Sequence, residues 1–261
     1  MPETLRIWVS SAGEMGKFFS RILCAVYTLR VLRFAGEVLR QCGLLILGST
    51  LVIWTLVFFV GLTCGIEGAY LTKAQGASAY AGAFTALCDL REIVPLGFGY
   101  MMSAKVGTGI VAELGAMRIS DEIDALEVMA VRSVAYLVST RVIAGVVVVI
   151  PLYCVAMVCA FLAARFGTTG FYHQSTGVYD HYFNTFLNST DLLWSLFTVV
   201  LMGIAVMLVH TYYGYTATGG PAGVGAAVGR SVRTSLIVLV LLLLAIALSV
   251  YGQSGNFHLS G

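Results

Sequence analysis

Residues 44–62 read LLILGSTLVIWTLVFFVGL. No charged side chain interrupts the run, and its length matches the roughly 20 apolar residues a helix needs to cross a bilayer core. The apolar residues are continuous, whereas a strand of a membrane barrel alternates apolar and polar. In hydrocarbon every backbone amide must be paired inside the segment, which a helix achieves alone. The composition repeats this pattern, with 59% hydrophobic residues, 11% charged residues and a mean hydropathy of +0.90. A soluble domain carries about 25% charged residues, and a soluble fold of this composition would expose large apolar patches. The composition therefore excludes a soluble enzyme. A net charge of +2 supplies no field for nucleic acid.

Reading outward predicts an all-α integral membrane protein. An N-terminal amphipathic, interfacial region (1–42) precedes a five-span domain (43–261) that carries a short cytoplasmic helix. In the first region Arg30, Arg33, Glu37 and Arg40 share a helical face, as interfacial helices do. The expected spans are about 43–66, 93–113, 135–164 (with a kink at Pro151), 193–213 and 232–251. Residues 78–88 either extend the second span outward or re-enter the membrane. With the N-terminus inside, the inner segments hold 12 of the 15 Lys and Arg residues, and Lys73, Arg91 and Arg165 fall outside. That bias orients the chain with a cytoplasmic N-terminus and an extracytoplasmic C-terminus. The six cysteines form no CxxC and read as small hydrophobes. A Cys64–Cys88 disulfide near the outer face is an option that no motif supports.

The one strongly polar internal segment is RISDEIDALEVMAVR, 118–132. Ser120 is a fitting N-cap, and Asp121 and Glu122 suit the positive end of a helix dipole. Ile119, Ile123, Leu126 and Ala130 form an apolar stripe beside the acidic Asp121, Asp124 and Glu127. The stripe suits either docking into a groove on a cytosolic partner or a plain solvated helix.

The run SAKVGTGIVAELGAMRISDEIDALEVMAVRSVAYLVSTRVIAG, 103–145, resembles the signature of the MlaE/YrbE permeases, the membrane subunits of ABC lipid transporters that work with MCE proteins. Leu90-Arg91-Glu92 before Pro95, and YYGYTATGGPAGVG at 212–225, resemble two further motifs of that family. The resemblance implies a coupling helix at about 119–131 that docks on a separate ABC ATPase through Asp121, Glu122, Asp124, Leu126, Glu127 and Met129. It implies that Arg91 and Glu92 face a lipid cavity, the structural alternative being a pairing of Arg91 with Glu92 or Asp89. It also implies a non-catalytic subunit with no cofactor of its own, ATP and Mg on the ATPase, and residence in a bacterial inner membrane. Ser103, Gly107, Gly109, Ala112 and Gly115 allow close helix contact, at a dimer seam or within the chain. Ala104-Lys105 stands where many relatives carry Gly-Arg, Ala130-Val131-Arg132-Ser133 where they carry Gly-Val-Asp-Pro, and Thr140 where a proline is common. These departures resemble the actinobacterial YrbE branch, in which the second permease subunit is a paralogue rather than an identical copy.

GVGAAVGRS, 223–231, lacks the spacing of a P-loop. His173 and His181 sit among aromatic residues of the 165–192 loop, as an interfacial belt or an outer-partner contact. Two rival functions remain on sequence alone. An ion-coupled secondary transporter would use Arg91, Glu92 and Lys105 as a relay, and a non-transporting scaffold would keep only the docking helix.

Overall fold

The computed structural model describes residues 13–24, 34–250 and 252, and helices dominate them. Helix α1 covers 13–24. It is followed by α2 (Ala35–Ala74), a 3-10 turn (Ser78–Tyr80), α3 (Ala81–Cys88), α4 (Val94–Met101), α5 (Thr108–Ile119) and α6 (Glu122–Val128). The chain continues with α7 (Ser139–Phe166), α8 (Thr176–Phe186), α9 (Ser189–Tyr215) and α10 (Gly220–Val250). Arg30 and Arg33 of the expected basic face lie outside the described residues. Glu37 and Arg40 of that face pair with each other at 2.9 Å.

Among the described residues, four helical segments are long and apolar enough to cross a membrane: Ala35–Ala74, Val134–Phe171, Ser189–Tyr215 and Gly220–Val250. The protein is thus a multi-pass membrane protein. Residues 78–88 continue a helix instead of folding back, because α3 leads through a π turn (Asp89–Ile93) directly into α4. Pro95 explains that turn. The Val94 amide bonds the Asp89 carbonyl in the wider register, and the next amide in line is missing because proline has none. The Ser195 hydroxyl fills the gap by donating to the Leu90 carbonyl at 2.7 Å.

The chain divides into two compact units. One comprises the chain through Leu45, Ser103–Val148 and Ile204–Ser235; the other comprises Ile46–Met102, Val149–Gly203 and the chain from Leu236. In the first unit, α1 buries Phe18 and Ile22, and Phe18 meets Tyr212 edge-on and Tyr215 at a tilt, with ring centroids 5.5 Å apart in both cases. Arg141 is buried there and donates to Glu113 and to the Leu137 carbonyl, at 2.7 and 2.8 Å.

In the second unit, α2 and α7 run parallel in close contact. A Cβ on Gly61 would lie 2.4 Å from the Ala160 carbonyl oxygen, and one on Gly65 2.3 Å from that of Ala164. Small residues four apart let the backbones touch, the usual device where lipid supplies no hydrophobic drive between helices. Trp54 Nε1 donates to the Leu152 carbonyl at 3.3 Å along the same seam. Helix α9 packs antiparallel to α7, with Gly203 under Val149 and the Tyr153 hydroxyl 2.5 Å from that of Ser195. The 165–192 segment, expected as a loop, contains α8. Its Tyr179 is buried, and Gly82 of α3 lets the two backbones meet. Arg165 clasps Asp180 of α8 with two bonds of 2.7 and 2.8 Å, which holds the Asp180 carboxyl below the usual carboxylate range.

Candidate functional site

The polar segment forms a discrete short helix in the first unit. Left-handed residues bracket it, Asp121 at φ 57° and Ala130 at φ 59°. Aspartate tolerates that conformation, whereas alanine adopts it at a cost of roughly 1 kcal/mol. These corners hold α6 to Glu122–Val128, shorter than the 119–131 expected. The capping assignment is corrected as well: Ser120 closes α5 and does not start α6. Its hydroxyl donates back to the Ala116 carbonyl and lies 2.9 Å from Glu122 Oε1.

The expected apolar stripe splits. Ile123 is fully buried and anchors α6, and Leu126 is half-buried, while Ile119 and Ala130 are exposed. Val128 and Met129 point outward, at 88% and 64% exposure. The exposed acids also brace the helix. Asp124 pairs with Arg118 at 2.6 Å. Glu127 accepts the Ser133 hydroxyl at 2.6 Å, and the Tyr215 hydroxyl stands 2.8 Å from Ser133. Pattern reading found the helix and its acids. It missed Val128, which lies off the stripe, and Tyr215, which comes from a distant helix.

The second group lies on the π turn of the second unit. Arg91 reaches neither Glu92 nor Asp89 in a salt bridge. Its Nη2 and Nε meet Asp191 Oδ2 on the first turn of α9, at 2.7 and 3.2 Å. Asp191 was not anticipated; an acid at a helix N-terminus is its one sequence signal. Glu92 is exposed. Asp89 is fully buried, and neither carboxyl oxygen has a hydrogen-bond partner. Beside this turn, α2 and α4 form a cleft of about 440 Å³ lined by apolar residues with Thr63, Glu67 and Tyr100. Arg91 and Glu92 are not among its lining residues.

The small residues divide between two faces. The Ser103 hydroxyl is 2.6 Å from that of Ser235. A Cβ on Gly107 would strike the His210 ring, and one on Gly115 the Val224 side chain. Gly109 has nothing within 4 Å, and it is exposed, as is Ala112. Among the described residues no three His, Cys, Asp or Glu side chains converge as a metal site.

Residues 38–249 match the model of the family described as Permease MlaE. The chain belongs to the MlaE permease family. Among similar proteins, a probable ABC transporter permease of Rickettsia bellii is 28% identical over 88% of this chain and 89% of its own length. The intermembrane phospholipid transport system permease MlaE of Haemophilus influenzae is 25% identical over 77% of each chain. The chloroplastic protein TRIGALACTOSYLDIACYLGLYCEROL 1 of Arabidopsis thaliana is 27% identical over 80% of this chain and 57% of its own. The matched region of this MlaE-family permease takes in α6, the Arg91 turn and the α2–α4 cleft.

Proposed function

We propose that this permease is the membrane subunit of an ATP-driven lipid transporter and that α6 couples it to a separate ABC ATPase. The observation that carries the reading is α6 itself. A helix fixed by Ile123 and two left-handed corners presents Val128 and Met129 above an acidic border, a shape and chemistry suited to a groove on a partner. Asp121, Glu122, Asp124 and Glu127 form that border, and Leu126 supports it from beneath. ATP and Mg belong to the ATPase, and this chain is a non-catalytic partner in the cycle.

The reading includes five crossings. Helices α2 and α7 run parallel in the second unit, which calls for a return crossing between them. The stretch containing α3 and α4 suits that role, because its contacts with α9, Leu90 to Ser195 and Gly99 to Met202, advance in the same direction along both helices. Together with the bias of Lys and Arg, this supports a cytoplasmic N-terminus and an extracytoplasmic C-terminus in a bacterial inner membrane. The apolar α2–α4 cleft suits acyl chains, and Arg91, Glu92 and Glu67 stand near it for a headgroup. MCE proteins outside and a second permease subunit, a paralogue as in the YrbE branch, complete the complex. The outward Gly109 and Ala112 are suited to that subunit contact.

The test replaces Val128 and Met129 together by Glu and co-purifies the tagged chain with its ATPase in mild detergent. The expected result is loss of the ATPase with membrane insertion intact. Undiminished recovery of the ATPase would remove α6 as the docking element.

A further inference from the structure

In the second unit the end of α2 and α3 run antiparallel and in register. Cys64 on α2 and Cys88 on α3 are neighbours whose thiols interact. One turn along, Gly68 faces Phe84. The ring lies so close that a Cβ on Gly68 would meet it at 2.5 Å. The pairs 64/88 and 68/84 are each displaced by one helical step of four in opposite directions, as facing positions on antiparallel helices must be. The glycine lets the phenyl ring settle on the α2 backbone, and that contact keeps the neighbouring thiols opposed. Both cysteines are free, Cys64 buried and Cys88 half-buried. Buried Asp89 adjoins Cys64. Cys64 also lines the α2–α4 cleft.

We propose that Cys64 and Cys88 are a reversible dithiol–disulfide pair that fastens α2 to α3 at the wall of the cleft. The oxidant class is an external disulfide, R–S–S–R. The more accessible Cys88 attacks as thiolate, forming a mixed disulfide with one R–S group and releasing the other as R–S⁻. Cys64 then attacks the Cys88 sulfur, closing the Cys64–Cys88 bond and expelling the second R–S⁻. The two protons lost by the cysteines end on the two released thiolates. The cysteine pair loses two electrons and R–S–S–R gains them. A disulfide demands a short Cβ separation, which side chains at facing positions of neighbouring helices can supply. Neither the chemistry nor its test depends on the transport reading.

The experiment uses the full chain in mild detergent with oxidised glutathione as the disulfide. The reaction is quenched with acid, and free thiols are alkylated after denaturation and mapped by mass spectrometry without reduction. The expected result is a cross-linked peptide joining Cys64 to Cys88. Cys24, Cys42, Cys154 and Cys159 give at most glutathione adducts, in proportion to their exposure, and no cross-link. Cys64→Ser should stop at a glutathione adduct on Cys88, whereas Cys88→Ser should leave Cys64 alkylated. Wild-type protein in which both thiols remain free, or in which Cys88 keeps its glutathione without passing to Cys64, would overturn the proposal. Glutathione on Cys64 in Cys88→Ser would overturn the order of attack.

Discussion

Gly65→Ala tests the seam on which the parallel α2–α7 contact rests. The new methyl group would lie 2.3 Å from the Ala164 carbonyl oxygen and 2.6 Å from its Cα. Both are backbone atoms, so no rotamer relieves the clash. The helices must part by roughly 1 Å to restore an ordinary contact. Overpacking of this kind costs about 1–3 kcal/mol. The separation also stretches the 3.1 Å bond from the Thr168 hydroxyl to the Gly65 carbonyl. Thr168 keeps a second acceptor, the Ala164 carbonyl at 3.0 Å, so this loss adds no more than ~0.6 kcal/mol. Against it stands the gain of about 0.5–1 kcal/mol for replacing a helical glycine by alanine. The net expectation is a destabilisation of roughly 1–2 kcal/mol. Gly109→Ala is the control, because its methyl group meets nothing within 4 Å and only the propensity gain of about 0.5–1 kcal/mol remains. Equilibrium unfolding in mixed micelles with rising SDS fraction, followed by tryptophan fluorescence, compares the two. Gly65→Ala as stable as Gly109→Ala would refute the close-packed seam and weaken the topology built on it.

Two further outcomes are expected. Arg91 and Asp191 side chains are 21% and 10% exposed, so removing either partner leaves the other poorly solvated. Asp191→Asn should cost about 3 kcal/mol, and Arg91→Gln in the same chain should recover at least ~1 kcal/mol of it in a double-mutant cycle; strict additivity would mean that the pair does not interact in the folded protein. Ala130→Gly should raise stability by up to about 1 kcal/mol, because Ala130 sits at φ 59° where glycine is unstrained. A lower thermal midpoint for that variant would mean that the corner after α6 is not left-handed.

Much of the architecture was legible along the chain. Hydropathy is a property of each residue summed over a window, and lipid imposes one requirement on every spanning segment. The run at 44–62 therefore determined the membrane class by itself, and the runs that became α7, α9 and α10 were legible for the same reason. The 103–145 stretch and the Arg91 and 212–225 motifs pointed to the family that residues 38–249 match. The acids of α6 could also be found by spacing alone.

Partners could not be read this way, because a contact belongs to two residues and depends on how each helix is rotated about its axis. Arg91 had near acidic neighbours in sequence, yet its partner is Asp191, brought from α9. The π turns at Asp89–Ile93 and Met102–Gly107 each widen a turn by one residue and rotate the face that follows. Ser103, Gly107 and Gly115, at steps of four and eight, point into the chain while Gly109 and Ala112 point out, although composition treats all five alike. Ser120 looked like the start of one helix and closes another because Asp121 turns left-handed. The sequence alone determined that these segments are helices in lipid; only the tertiary structure decided which face each one shows to its neighbours.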